Sequence, residues 1–404
     1  MYASAKSAGL PVAGSQIPSA RSSSSLKPSA RRVGRSSRSI AHPSAVGGPP
    51  PDTCERVECL DSTFSQVRGG DAPLVHGWAW MGFTWFASAY DIDDVPYRLA
   101  TFIQIAGVLV LASGVPRAFT DHDFTMPVVG YSIMRLGLVS LWLRAARAHP
   151  EGRATATRYA AGLVVIQCAW IGWLFLPDDW HMPLFALLAV FDVAVPVWAE
   201  RAGATAWHPH HIAERFGLFT LIVLGESVLA ATTAVQEALD AREATGGLYA
   251  VAAGGLLIVM SMWWLYFAKP AAQFLTSNRA AFPWGYGHYL VFGSAAAVGA
   301  GLAVNVDHVT HHTEISDATA GAAVTVPVAV FLLVLYLLHI RPHHALAAHA
   351  LLIPGTAAVV LALTFTDVPV LGTGLAVAAL AGVSVTVVQR HEPHDTPSSR
   401  TGQN

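Results

Sequence analysis

Charge is scarce in this chain. Asp, Glu, Lys and Arg make up 12% of its 404 residues, against about 25% in an ordinary soluble domain. Lysine is nearly missing, with 3 copies beside 21 arginines. Only Lys269 lies near an apolar block, and it sits at the block's end. That placement argues against a mid-membrane Schiff base of the retinal type. The 3 cysteines, Cys54, Cys59 and Cys168, have neither a disulfide framework's pattern nor zinc-ligand spacing. No P-loop is present, so an ATP-driven pump lacks its motif. GxSxG, HExxH and CxxC are absent too, and no common hydrolase or redox motif supports an enzyme or implies a cofactor. A net charge of −2 gives no electrostatic footprint for nucleic acid.

Apolar residues account for 53% of the sequence. They come in blocks of about twenty, the length that crosses roughly 30 Å of hydrocarbon. Eleven blocks follow residue 73: 74–90, 99–119, 126–147, 157–177, 181–199, 212–236, 247–268, 283–305, 320–340, 344–366 and 369–389. This pattern predicts an all-α, polytopic transmembrane bundle of about eleven helices over 73–390. Residues 1–72 are rich in Ser, Pro, Gly and Arg and lack an apolar run. They read as a disordered tail and not as a secretory signal peptide. Residues 391–404 read as a second disordered tail.

Short loops carry the basic residues, which sets an expected orientation. Placing the Arg144–Arg158 loop in the cytoplasm also puts Arg98, Arg201, Lys269, Arg279, Arg341, Arg390 and Arg400 there. Only Arg117 and Arg242 fall outside. The C-terminus is then cytoplasmic. An odd helix count leaves the tail at 1–72 outside, with its 9 basic residues. A twelfth helix ahead of residue 74 would remove that conflict. The Trp-rich strings "WAWMGFTWF" (78–86) and "MWWLYF" (262–267) suggest two parallel six-helix repeats, with the first helix lost.

The strings "HIAERFGLFTLIVLGESVLA" (211–230), "WWLYF" and "WGYGHYLVFGSAAAVGAGLAV" (284–304) resemble the bacterial low temperature requirement protein A family (LtrA). The resemblance covers about residues 74–390. It implies a multi-pass protein of the bacterial cytoplasmic membrane with a link to cold growth. Members usually open with a helix carrying a Glu-Leu-Phe-Phe-Asp-Leu-Val-Phe run, and this chain has none. The departure agrees with the charge conflict, so a truncated or frame-shifted start is expected.

Ionisable groups inside a bilayer are costly and tend to face a bundle interior. Arg135 and Asp192 fall near mid-depth of their blocks, and Glu226 somewhat beyond it, at 1.5 Å of rise per residue. The three are expected to converge on one intramembrane charged site. One Arg and two carboxylates leave a negative charge for a proton, a cation or a cationic substrate to neutralise. The alternative is a structural ion pair with the second carboxyl protonated. His211, Glu214 and Arg215 mark the start of the 212–236 helix. Glu214 in the first turn would meet the helix dipole, and Arg215 would snorkel.

Histidines cluster twice. His208, His210, His211 and Glu214 form one group, and His308, His311 and His312 lie beside Asp307 and Glu314. These are weak metal candidates against a default of interfacial loop residues, and no metal is assigned. The four-residue step from His308 to His312 would align them on a helix. Trp78, Trp80, Trp85, Trp263, Trp264, Tyr266, Trp284, Tyr286 and Tyr289 read as interface anchors. "GSAAAVGAG" (293–301) reads as a close helix contact.

Three functions remain. A secondary transporter or channel-like protein would gather Arg135, Asp192 and Glu226 on a polar cavity, with a proton, cation or small molecule as partner. A non-transporting membrane protein supporting envelope function or cold growth would have a dry interior and act through partners or lipids. A membrane enzyme on a lipid substrate would open a polar pocket sideways at headgroup level. The first is favoured. The oligomeric state is not legible.

Overall fold

The computed structural model describes residues 80–90, 94–242, 245–341 and 347–389. Trp78 and the tails at 1–72 and 391–404 lie outside the described residues. Eleven helices follow one another, and no strand occurs among the described residues. They are α1 (80–89), α2 (Val95–Thr120), α3 (Thr125–Ala148), α4 (Arg153–Trp173), α5 (Asp178–Ala199) and α6 (Pro209–Asp240). After these come α7 (Gly246–Phe267), α8 (Asn278–Val309), α9 (Asp317–Leu335), α10 (Ala347–Leu363) and α11 (Pro369–Gln389). Seven of them, α2, α3 and α5 to α9, are long and apolar enough to cross a membrane.

Several helices run past the apolar blocks because polar residues start them. Asp94 caps α2 by accepting the Tyr97 N–H at 3.0 Å. Thr245 caps α7 through the Leu248 N–H at 3.2 Å. Pro209 opens α6, where a missing N–H costs nothing and its fixed φ suits the helix. The far end of α9 widens into a π-turn at Tyr336–Ile340, a feature that recurs at functional sites.

Two large apolar cores form among the described residues, beside a small cluster of Leu111, Val115 and Met134 between α2 and α3. One gathers side chains of α6 to α11, and the other those of α2 to α5. Helix α1 serves both, with Met81 in the first and Phe86 in the second. In lipid, where apolar burial drives little, close van der Waals contact holds such helices together. Glycine supplies it. A Cβ on Gly107 of α2 would lie 2.7 Å from the Gly130 carbonyl of α3. The expected close contact at 293–301 is present: Gly299 faces Ser227 of α6, and Gly301 faces Ala323 of α9. Helix α2 thus packs on α3, and six helices later α8 packs on α9. Glu200, just past α5, accepts from Tyr159 of α4 at 3.0 Å and from Asn278 of α8 at 3.0 Å, joining the two halves.

Candidate functional site

Arg135 and Asp192 meet inside the bundle. Each is buried, at 5% and 6% exposure. Tyr131 and Arg135 are four residues apart on α3, so they share a face. The guanidinium lies 4.5 Å from the Tyr131 ring centroid and donates to the Tyr131 hydroxyl at 2.7 Å. It also donates to Asp192 Oδ1 in an ion pair, and to the Leu163 carbonyl at 3.4 Å. The second carboxylate oxygen, Oδ2, accepts from Tyr131 at 3.3 Å and from Trp170 Nε1 at 3.2 Å. Three helices, α3, α4 and α5, therefore supply the partners that a buried charge requires.

Helix α5 is locally weakened here. Pro196 sits four residues after Asp192 and brings no N–H to the Asp192 carbonyl. Tyr286 of α8 donates to the neighbouring Val193 carbonyl at 2.8 Å. That bond carries the second half of the molecule to the edge of the charged pair.

A cavity of about 80 Å³ opens beside the pair. Its lining comes from α1 to α5 (Trp85, Gln104, Arg135, Tyr159, Asp192) and from α8 (Tyr286, Tyr289). A second cavity, about 210 Å³, lies among α2 to α5 and is walled by side chains such as Leu111, Phe124, Trp173 and Phe185. Tyr131 and Asp192 line both cavities. Their hydrogen bond stands between a cavity with some polar lining and one that is almost wholly apolar.

Glu226 does not join this site. It is exposed on α6, on the face that carries Leu218, Ile222 and Leu229. It makes no hydrogen bond or ion pair among the described residues. Its neighbour Ser227 takes the inward position and donates to the Ala295 carbonyl of α8 at 2.9 Å. The expected three-way convergence is thus corrected to a pair, and the site holds one positive and one negative charge.

The start of α6 also differs from expectation. The helix begins at Pro209, with His208 as its N-cap residue. Glu214 is therefore in the second turn, beyond the free N–H groups of the first. It is exposed, as is His211, and Arg215 is half-buried. His311 and His312 do not continue α8 with His308. The His311 N–H bonds the His308 carbonyl at 3.2 Å, and the His312 N–H bonds the Asp307 carbonyl at 2.9 Å. His311 has φ 60°, and together these features close the helix in a Schellman turn. His308 instead meets Asp317 of α9 at 2.9 Å. Among the described residues no group of three or more His, Cys, Asp or Glu side chains is gathered to hold a metal.

The aromatic residues divide. Trp263 and Trp264 are exposed, as anchors would be. Trp80 stacks on Phe219 at 4.7 Å, and Trp85 meets Trp207 edge-on at 5.4 Å, both inside the bundle. Sequence reasoning missed one group altogether. His288 is fully buried, bonded to the Tyr266 hydroxyl at 3.0 Å and to the Trp284 carbonyl at 2.8 Å. His339, in the π-turn, lies 5.4 Å away ring to ring. The readable signal was the four-residue step from Trp284 to His288, which puts both on one face of α8.

Comparison with known proteins agrees with this architecture. The family model described as bacterial low temperature requirement A protein (LtrA) matches residues 74–385. An uncharacterized protein of Rhizobium meliloti (strain 1021) is 28% identical over 222 residues, 52% of this chain and 53% of that relative. The chain thus spans about half the length of the curated relative it matches. No solved structure matches the chain. Matched from its first described helix into its last, this chain belongs to the bacterial low temperature requirement A (LtrA) family and is a multi-pass integral membrane protein.

Proposed function

We propose that the protein is a secondary transporter that moves a proton together with a small anionic solute, using Arg135 and Asp192 as an exchangeable pair. The carrying observation is the buried ion pair in the wall of a cavity that both halves line. A buried pair stabilises a fold little more than apolar side chains of the same volume would. Ionisable groups at membrane depth are usually retained for function. Transporter sites also lie where two helical halves meet.

A proton reaching Asp192 removes the counter-ion of Arg135. The guanidinium then holds an anionic group of the solute by charge-assisted hydrogen bonds. When the solute leaves with the proton, the carboxylate returns to Arg135. The site is neutral before loading and again when proton and anion are both bound, and one proton accompanies each negative charge carried. The cavity of about 80 Å³ restricts the solute to a few heavy atoms unless the helices part. The arginine bias of the short loops supports a cytoplasmic C-terminus in the bacterial membrane.

The test uses the full chain in proteoliposomes that hold a pH-sensitive dye. Gradients of acetate, phosphate and lactate are imposed in turn. Solute-dependent proton entry is expected for at least one of them, with at least a ten-fold loss in Asp192→Asn. A parent protein with no flux for any of the three, or an Asp192→Asn variant as active as the parent, removes this reading. A static lock would be the better account in that case, because Asp192 already has three donors.

A further inference from the structure

A separate vestibule opens at the end of the bundle where α6 begins and α7 ends. Its volume is about 600 Å³, within the range of ligand-binding clefts. Charged groups of both signs face it. Glu214 and His210 come from α6, one turn apart, and Lys269 follows α7. None of the three side chains makes a hydrogen bond or ion pair among the described residues. Glu214 and Lys269 thus face one cavity without neutralising each other.

The floor is aromatic. Tyr266, Trp284 and His339 line it, with His339 stacked 5.8 Å from Trp284 and tilted 4.9 Å from Tyr266. The side wall is apolar and open. Leu218 and Leu221 border the vestibule and are 60% and 41% exposed on the outer face of α6. Trp263 and Trp264 are exposed near the same end of α7, the level at which tryptophan settles between lipid tails and water.

We propose that this vestibule binds the headgroup of a zwitterionic phospholipid. Its ammonium lies toward Glu214 and the aromatic floor, and its phosphate toward Lys269 and His210. An ammonium gains from a carboxylate and from an aromatic face together. A phosphate gains from a lysine as a point charge. The first acyl carbons run out along Leu218 and Leu221, which no helix covers among the described residues. A purely anionic headgroup meets Glu214 as a like charge and is disfavoured. The site is independent of Arg135 and Asp192, so either proposal can fail alone.

The experiment is native mass spectrometry of the full chain in detergent. Phosphatidylethanolamine, phosphatidylcholine, phosphatidylglycerol and free phosphoethanolamine are titrated separately. Both zwitterionic lipids are expected to bind about five-fold better than phosphatidylglycerol, the scale of one exposed charge contact. Glu214→Gln should erase that preference, and Glu214→Lys should reverse it. Lys269→Gln should weaken all three lipids. Equal binding of the three lipids to the parent would overturn the proposal, as would a preference untouched by the Glu214 variants or lipid affinities untouched by Lys269→Gln. Free phosphoethanolamine binding as well as the lipids would assign the vestibule to a soluble zwitterion and overturn the lipid source.

Discussion

Tyr131 ties Arg135 to Asp192 by bonding both: its hydroxyl accepts from the guanidinium at 2.7 Å and donates to the carboxylate at 3.3 Å. The same hydroxyl therefore fixes the donor and the acceptor of one ion pair. Tyr131→Phe removes it while leaving the ring under the guanidinium. Thermal unfolding in detergent should show a loss of about 1.5–3 kcal/mol, the cost of hydrogen bonds to charged groups. No loss at all would mean that the hydroxyl is replaced by water.

Removing one charge and removing both should differ sharply. Asp192→Ala leaves Arg135 buried without its counter-ion, at a cost of about 3–5 kcal/mol. The double variant Arg135→Met with Asp192→Leu should lie near the parent in stability. If the pair also moves solute, that stable double variant carries no proton-coupled flux in proteoliposomes. Full flux in the double variant would confine the pair to architecture.

Glu226 gives the complementary case. It is exposed and unbonded among the described residues. Glu226→Gln should leave both melting temperature and flux unchanged within error. A ten-fold loss of flux would return this residue to the transport site.

The helix contacts make a prediction about size. A Cβ at Gly299 would lie 2.8 Å from Ser227 Cα. Gly299→Val should destabilise by about 1–3 kcal/mol or more through overpacking. Gly225, two residues before Ser227 and on the outer face of α6, has nothing within 4 Å of its Cβ position. Gly225→Ala should be neutral or stabilising by at most about 1 kcal/mol. Equal melting temperatures for the two variants would contradict the close approach of α6 and α8.

Acid should act on the cap of α2. Hydrogen bonding from Arg144 holds the Asp94 carboxyl below its ordinary value, helped by the Tyr97 N–H and opposed by partial burial. A lowered folded-state value contributes stability that is present above the unfolded value, about pH 3.9. The contribution fades as pH falls through the folded value. Asp94→Asn keeps a capping oxygen but loses the charge. The melting-temperature gap between parent and Asp94→Asn should be constant at neutral pH and shrink below about pH 4. A gap that persists at pH 2 would show that it does not arise from the carboxylate's charge and its pair with Arg144.

How much of this was legible depended on which coordinate each residue needed. Depth in the membrane follows from counting residues along a helix, and Arg135 and Asp192 were placed that way. Direction around the helix is not counted but inferred from a polar face. Helix α6 is apolar on nearly every side between Leu218 and Leu229, so nothing in its letters said that Ser227 turns inward and Glu226 outward. His288 was passed over, and Tyr266 was read as an interface anchor, for a related reason. Single histidines and tyrosines at block ends are read as anchors, and only contact between α7 and α8 brings these two within 3.0 Å.

By itself, the sequence determined the helix count, the membrane address and the family, because bilayer thickness sets the length of apolar runs. It also singled out Arg135 and Asp192 as side chains in need of a partner, and Glu226, which the fold leaves exposed. Tertiary structure alone decided which of those side chains meet. Pairing is a matter of rotation about each helix axis, and that angle is set by ridges, glycine contacts and proline breaks on neighbouring helices, which no single stretch of sequence contains.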